Sequence, residues 1–411
     1  MDQSGISSED KVLLYCARKT MEENIKHKLI KTLNERLNWE YIAESSAIHH
    51  ITPLLYWNLS RTDQGKNVPE NVMAQFKKVY LETVGWNMIF YHELKEILRA
   101  FRNVRVPVIC LKGIFLAEAI YKNTGLRSLN DIDLLIKDKD LHKIKKELSN
   151  LMYLPLDVYP TRWHEQWWTR LCEDAQVRYA NLKRKFMLEV HWHIQPLSSP
   201  FKIDINTFWE NAQPVTIGGA ETMAFAPEDL FQHLCLHVYY HHAKGALRLK
   251  WCCDIAEVIR HYGEKIDWEY LVKSSKVYGT EEPMYRGLYL VKTYLGTPVP
   301  VHVLSDLNPG ISCITFEDMF KKRLKSTKKK RSWRRTNYLN TLAEVDGTWN
   351  KMRILLKDIF PCRKFMIHHY SVKNKALVYG YYFLRLGIAL QWALFIVWQM
   401  LLYPFEVGSR S

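Results

Sequence analysis

The sequence predicts an α/β (α+β) fold, a small mixed-sheet core flanked by N-terminal and C-terminal helical lobes. Three observations carry that expectation. Apolar residues recur at helical spacing over most of residues 8–100 and again beyond residue 226. Between these blocks, short apolar runs and an amphipathic helix follow one another in β-α-β-α order. Two segments there, 129–136 and 185–194, alternate apolar and polar residues as half-buried strands do.

The first block, residues 1–100, is an N-terminal helical lobe. Val12-Leu-Leu-Tyr-Cys-Ala17 and Val79–Phe101 carry helical stripes, and Pro53 opens a short helix over Leu54–Leu59. Thr62-Asp-Gln-Gly-Lys-Asn-Val-Pro69 reads as a loop. The core is expected over 101–215. In it, Val106-Pro-Val-Ile-Cys-Leu111 is a buried strand, Lys112-Gly113 a turn, and 114–121 a helix that Asn123-Thr-Gly125 breaks. Leu129-Asn-Asp-Ile-Asp-Leu-Leu-Ile136 is the next strand. Asp138 and Asp140 are placed to cap a helix with the stripe Leu141, Ile144, Leu148 and Leu151. Strands follow over 175–182 and 185–194, joined by a basic turn at Lys183-Arg-Lys185. A helical C-lobe is expected over 216–300, a basic linker or helical segment over 301–375, and an apolar C-terminal helix over 376–411.

With 411 residues, 47% of them hydrophobic, the chain can bury the cores of two or three domains or lobes. Charged residues make up 25%, which argues against wholesale disorder. Lys and Arg outnumber Asp and Glu by 58 to 43. The net charge of +15 favours anionic partners: nucleotides, phosphorylated substrates, nucleic acid or acidic lipid. The eight cysteines form no Cys-x-x-Cys, which argues against a disulfide framework or cysteine zinc site and for a reducing cytoplasm. The polar, acidic start Met-Asp-Gln-Ser-Gly-Ile-Ser-Ser-Glu-Asp is no signal peptide.

Alternation puts Asp131 and Asp133 on one face of their strand and Ile132, Leu134 and Ile136 on the other. Neighbouring carboxylates repel unless a cation lies between them. Oxygen-rich sites of this kind suit Mg²⁺, which also takes substrate phosphates as ligands. In the later strand Phe186, Leu188, Val190, Trp192 and Ile194 share one face, and Met187, Glu189, His191 and His193 share the other. Glu189 is thus a third acid on a polar strand face, downstream of a Lys-Gly turn at a strand-to-helix junction. Taken singly, these acids read as ordinary strand-edge residues; the ordered set points to phosphate chemistry.

That set resembles the catalytic core of the DNA polymerase β-like nucleotidyltransferase superfamily. More closely it resembles a bacterial branch with a Leu-Lys-Gly turn, an Arg and an Asp-hydrophobic-Asp strand. Here these are Leu111-Lys112-Gly113, Arg127 and Asp131-Ile132-Asp133. The branch's third acid lies in a strand ending near His-Trp, matched by Leu188-Glu189-Val190-His191-Trp192. Ile51-Thr-Pro-Leu-Leu-Tyr56 is similar to the family's N-terminal helical segment. Pro227–His237, Leu249–Ala256 and Asp267–Leu271 are similar to its helical C-lobe, so the likeness covers most of 35–300. The broader superfamily carries Gly-Ser at the turn. Lys112-Gly113 departs from it, as the branch does, and offers phosphate a lysine point charge instead.

The resemblance implies a metal-dependent nucleotidyltransferase core over 101–215. It would transfer a nucleoside monophosphate from an NTP, such as ATP, to an acceptor hydroxyl or phosphate. It implies that Asp131, Asp133 and Glu189 hold two Mg²⁺ ions, with Mn²⁺ as an alternative, for an in-line displacement. Lys112 and the amides after Gly113 would bind phosphates near a helix N-terminus, and Arg127 would neutralise the leaving pyrophosphate. His191, His193, Lys250 and Asp254 are candidate cleft-lining residues, the last two spaced for an i, i+4 ion pair. The acceptor stays open, a peptide or saccharide being in keeping with the branch. One alternative moves a nucleotide or a sugar from an activated donor onto a phosphorylated peptide or saccharide, in modified-peptide or surface-polysaccharide biosynthesis. Another is a non-catalytic, basic, membrane-peripheral binding protein.

Three further features complete the reading. His233, His237 and His241 recur every four residues; with no carboxylate or cysteine at matching spacing, they read as a helix face lining the cleft rather than a zinc site. The basic run 321–335 reads as a solvated charged segment before a membrane or nucleic-acid surface, since Trp333 is its lone aromatic residue. The segment 386–403 carries no charge, but Gln391 and Gln399 interrupt it; it suits a helix packed on the protein or lying on a membrane surface better than a span.

Overall fold

The computed structural model of the chain describes residues 5–62, 65, 67–155, 175–181, 186–196, 199–243, 247–310, 360, 366, 377–387 and 390. It forms two compact units, Met1–Leu197 with Phe201–Asn337, and Ser198–Pro200 with Tyr338–Ser411.

The first unit is mixed α/β. Its strands are β1 (Ile109–Cys110), β2 (Ile132–Leu135), β3 (Tyr153–Pro155), β4 (Gln176–Asn181), β5 (Phe186–His191), β6 (Gln213–Ile217) and β7 (Ala220–Ala224). They join in one seven-stranded sheet of order β3-β4-β5-β2-β1-β7-β6. The central pair, β2 and β5, is parallel, with Asp133 opposite Glu189 and Leu135 opposite His191. Ile132, Leu134, Leu188 and Val190 are fully buried, each worth ~1.5–3 kcal/mol on burial. A one-residue slip would turn that apolar set to the polar face, so the hydrophobic pattern fixes the register.

The hairpin β6–β7 is an element the sequence pattern does not announce. Its Gly218-Gly219 turn has φ of +60° and +70°, the left-handed backbone that lets a two-residue turn match strand twist. β7 then pairs parallel to β1, so the sheet takes in residues on both sides of position 215.

Helices α1 (Ser8–Cys16), α2 (Glu23–Leu33), α3 (Trp39–Ile48), α4 (Thr52–Leu59) and α5 (Glu70–Asn103) precede the sheet. Ser7 and Asn38 cap α1 and α3 by accepting from Asp10 N and Tyr41 N. A short helix α6 (Lys112–Phe115) follows β1. The helix expected over 114–121 widens into a π-helical turn at Leu116–Ile120 instead of continuing as α.

Next comes α7 (Leu141–Asn150), with Ile144 and Leu148 buried as its stripe predicts. The capping role expected of Asp138 and Asp140 is not realised. Asp140 has helical backbone and pairs with Lys143 Nζ at 2.6 Å, while Asp138 accepts from the next residue's amide. A lysine three residues along is a better partner for a buried carboxylate than the helix amides.

Further helices among the described residues are α8 (Ile205–Asn211), α9 (Pro227–Ala243), α10 (Leu249–Tyr262), α11 (Trp268–Tyr278), α12 (Glu281–Leu295) and α13 (Val301–Leu307). Asp267 caps α11, and left-handed Gly279 ends it.

In the second unit residues 378–387 are helical. The basic turn at 183–185, the run 321–335 and most of 376–411 lie outside the described residues. Among the described residues, no helix is long and apolar enough to cross a membrane.

Candidate active site

The parallel register of β2 and β5 builds the site. Asp133 and Glu189 are direct neighbours, and His191, two residues along β5, shares their face. His191 Nε2 lies 2.9 Å from Asp133 Oδ1 and 3.7 Å from Glu189 Oε2. Lys112 Nζ donates to the same Asp133 Oδ1 at 3.0 Å. Lys112 reaches it because β1 runs antiparallel beside β2, with Leu111 N bonded to the Asp133 carbonyl. Lys112 itself holds a left-handed backbone, φ +44°, as the chain turns into α6. Asp133 and His191 are buried, and Glu189 and Lys112 nearly so. Asp131 lies one residue outside β2 and is half-buried.

Charges within this cluster are strongly interdependent. Burial opposes an ionised Asp133, but Lys112 and His191 outweigh it and hold the carboxyl well below the usual range. Burial and then the Asp133 charge push Glu189 up to about 8. The same two causes raise Asp131. For Lys112, burial is overcome by Asp133, Glu189 and Asp131, which raise it. The cluster therefore holds one firmly ionised acid, Asp133, and one, Glu189, that a further cation would ionise, with Asp131 raised beside them.

The Arg127 side chain is committed elsewhere. It is buried, with Nη2 bonded to Asp254 Oδ2 at 2.8 Å, Nε to Asp254 Oδ1 at 3.3 Å, and Nη1 to the Ser128 carbonyl at 3.0 Å. Tyr121 donates to Asp254 Oδ1 at 3.1 Å. The expected pairing of Asp254 with Lys250 on α10 gives way to this one, because the guanidinium fork reaches both carboxylate oxygens. Lys250 Nζ instead meets the Ser128 carbonyl at 3.3 Å. Burial, followed by the Arg127 charge, brings Lys250 down to about 7.

Gly113 is required by the same pair: a Cβ there would lie 2.2 Å from Arg127 Nη1 and 2.9 Å from its Cζ. On the other side, α5 grips the loop before β2. Buried Asn87 donates to the Thr124 and Arg127 carbonyls and accepts from Leu129 N. Tyr91 on α5 donates to the Ile114 carbonyl.

The structure thus gathers Lys112, Asp133, Glu189 and His191 into one cluster, with Asp131 at its edge. Arg127, Lys250 and Asp254 form a second, buried layer around Ser128. His193 departs from the cluster. Past the end of β5, its Nε2 donates to the Ile203 carbonyl and its Nδ1 accepts from Gln195 N.

Two residues escape sequence reasoning. Arg178 on β4 stands in register with Glu189, and its charge lowers that acid's pKa. His233 on α9, noted in sequence only as part of a stripe, is 2% exposed with neither ring nitrogen bonded among the described residues. Burial, and then the charges of Lys112 and His191, hold it well below the ordinary histidine range. The other stripe members pack as aromatics. His237 and His241 lie 4.3 Å apart, and their rings lie 4.9 and 4.2 Å from Trp251.

Which residues could hold a cation follows from donor chemistry. One atom each from Asp133, Glu189 and His191 lie within 4.8 Å of one another. Two ligands at right angles, each about 2.1 Å from a cation, stand about 3.0 Å apart. The donor set fits a divalent metal. A family model described as an uncharacterised nucleotidyltransferase matches residues 35–296, which contain all of these side chains. No curated protein matches the chain.

Proposed function

The chain belongs to this uncharacterised nucleotidyltransferase family, and from that premise we propose that it transfers a nucleoside monophosphate from an NTP to an acceptor hydroxyl or phosphate. The observation that carries the reading is the Asp133–Glu189 register on adjacent parallel strands, with Lys112 drawn onto Asp133. Two carboxylates placed side by side, facing a lysine at a strand-to-helix turn, make little sense as a solvated surface. They suit a cation-bound polyphosphate.

In this reading Asp133 and Glu189, with Asp131 at the edge, hold the divalent cations, Mg²⁺ or Mn²⁺. When bound, these would neutralise phosphate charge and favour ionisation of the acceptor hydroxyl. Lys112 balances Asp133 and supplies a mobile positive charge to the phosphates. Glu189 accepts the acceptor's proton, the acceptor oxygen bonds to the α-phosphorus, the Pα–O bond to the β-phosphate breaks, and pyrophosphate leaves. Arg127, tied to Asp254, acts as a positioning residue that fixes the Lys112-Gly113 turn from behind. This division of labour resembles DNA polymerase β-like enzymes, with the Lys-Gly turn in place of Gly-Ser.

Thermal shift with each NTP, with and without Mg²⁺, tests the proposal. Mg²⁺-dependent stabilisation by at least one NTP is expected, and Asp131→Ala combined with Asp133→Ala should abolish it. Equal shifts in wild type and double variant would overturn the proposal.

A further inference from the structure

The cluster at β2 and β5 is not an all-oxygen site, and that has consequences for the metal. His191 Nε2 stands 2.9 Å from Asp133 Oδ1 and 3.7 Å from Glu189 Oε2. Ligand pairs around a six-coordinate cation with bonds of about 2.1 Å are separated by about 3.0 Å. The imidazole nitrogen lies within ligand spacing of Asp133 and groups with both carboxylates inside 4.8 Å. Its ring is buried and carried on the same strand as Glu189, so no loop movement is needed to bring it in.

A second buried histidine lies on α9. His233 is buried, and neither ring nitrogen has a hydrogen-bond partner among the described residues. Its ring stands edge-to-face against Phe225, the centroids 5.9 Å apart. Two unsatisfied nitrogens in a buried ring are costly unless something polar fills the space beside them.

Resting on the nucleotidyltransferase reading, we infer that His191 Nε2 is a direct metal ligand beside Asp133 and Glu189, and that the site selects a first-row transition dication over Mg²⁺. Mg²⁺ prefers oxygen donors and gains little from imidazole, whereas first-row transition ions accept mixed nitrogen and oxygen sets. Mn²⁺ is the stringent test ion, since it binds such sites most weakly of that series.

The experiment uses the full chain and the metals alone, without nucleotide. Titration calorimetry compares Mn²⁺ with Mg²⁺, and pulsed electron paramagnetic resonance on the Mn²⁺-loaded protein looks for imidazole nitrogen coupling. Wild type should show that coupling and bind Mn²⁺ at least about tenfold tighter than Mg²⁺. His191→Gln should lose the coupling and most of the preference, with Mg²⁺ affinity changing less than about threefold. Mn²⁺ binding without nitrogen coupling in wild type overturns the inference and leaves the nucleotidyltransferase reading intact. Absence of any divalent-cation binding without nucleotide also overturns the inference, while the nucleotidyltransferase reading is decided separately by the Mg²⁺-dependent thermal shift with NTP, since substrate phosphates supply part of the metal's ligands. A wild-type spectrum without nitrogen coupling overturns the inference even if the variant fails to fold.

Discussion

Gly113→Ala is the most revealing single substitution. The added Cβ would sit 2.2 Å from Arg127 Nη1, 2.9 Å from its Cζ and 3.0 Å from Leu129 Cδ2. Contact with the far end of a long side chain is ordinarily relieved by a rotamer change. Here the guanidinium is pinned: Nη2 and Nε hold Asp254, Nη1 holds the Ser128 carbonyl, and the ion pair is buried. The chain must either shift the turn or break the pair. Overpacking costs ~1–3 kcal/mol, and uncoupling a buried ion pair ~3–5 kcal/mol. A loss of about 3 kcal/mol is expected, read from urea unfolding at neutral pH. The cycle with Asp254→Ala sharpens the test. Once Asp254 is gone the guanidinium can yield, so the double variant should lose at least about 1 kcal/mol less than the two singles together. A Gly113→Ala loss below about 0.5 kcal/mol, or strict additivity with Asp254→Ala, would refute the claim that glycine stands there to admit Arg127.

Other consequences follow from the same geometry. Asn87→Ala leaves the Thr124 and Arg127 carbonyls and the Leu129 amide without their partner; a loss of ~2–3 kcal/mol by thermal or urea unfolding is expected, and an unchanged midpoint would contradict it. Glu189 holds its proton up to about 8 without metal, so divalent-cation affinity should rise with pH until near 8 and then level. Calorimetry at pH 6, 7 and 8 checks this, and Glu189→Gln should flatten the profile. Asp229, far along the chain on α9, is raised to about 6 by burial, against its bond from Asn211. The folded state therefore binds this proton more tightly than the unfolded chain, so its contribution is full below about 4 and is lost as pH rises through 6. Asp229→Asn should accordingly raise the melting temperature at pH 8 and lose that advantage near pH 4.

Much of the site is readable in sequence because strands have a period of two. The alternation in 129–136 and 186–191 places Asp133 on one polar strand face and Glu189 with His191 on another without any structure. What alternation cannot give is which strands are neighbours. The parallel pairing that sets Asp133 beside Glu189 spans a long connection and is decided by burial of Ile132, Leu134, Leu188 and Val190. Long-range polar pairing is equally hidden: Arg127 and Asp254 lie on a loop and a distant helix, and the i, i+4 spacing to Lys250 offers a plausible but weaker partner. The hairpin at 213–224 escapes notice because β6 is mostly exposed, although Gly218-Gly219 is a turn signal. His233 looks like one tooth of an apolar stripe; only burial without a partner sets it apart. The π-helical turn after α6 has no sequence signature here.

The central claim is nucleotidyl transfer, and isotope position tests it most directly. The purified chain is incubated with cell extract, divalent metal and each NTP labelled at the α-phosphate or, separately, at the γ-phosphate. Transfer of a nucleoside monophosphate requires the α-label to enter an acceptor while the γ-label leaves in pyrophosphate, and Asp133→Asn should reduce incorporation to background. Incorporation of the γ-label that requires the added chain and is lost in Asp133→Asn would make the protein a phosphotransferase. Incorporation of the α-label undiminished in Asp133→Asn would remove the carboxylate cluster from the chemistry. Either result would contradict the proposed function.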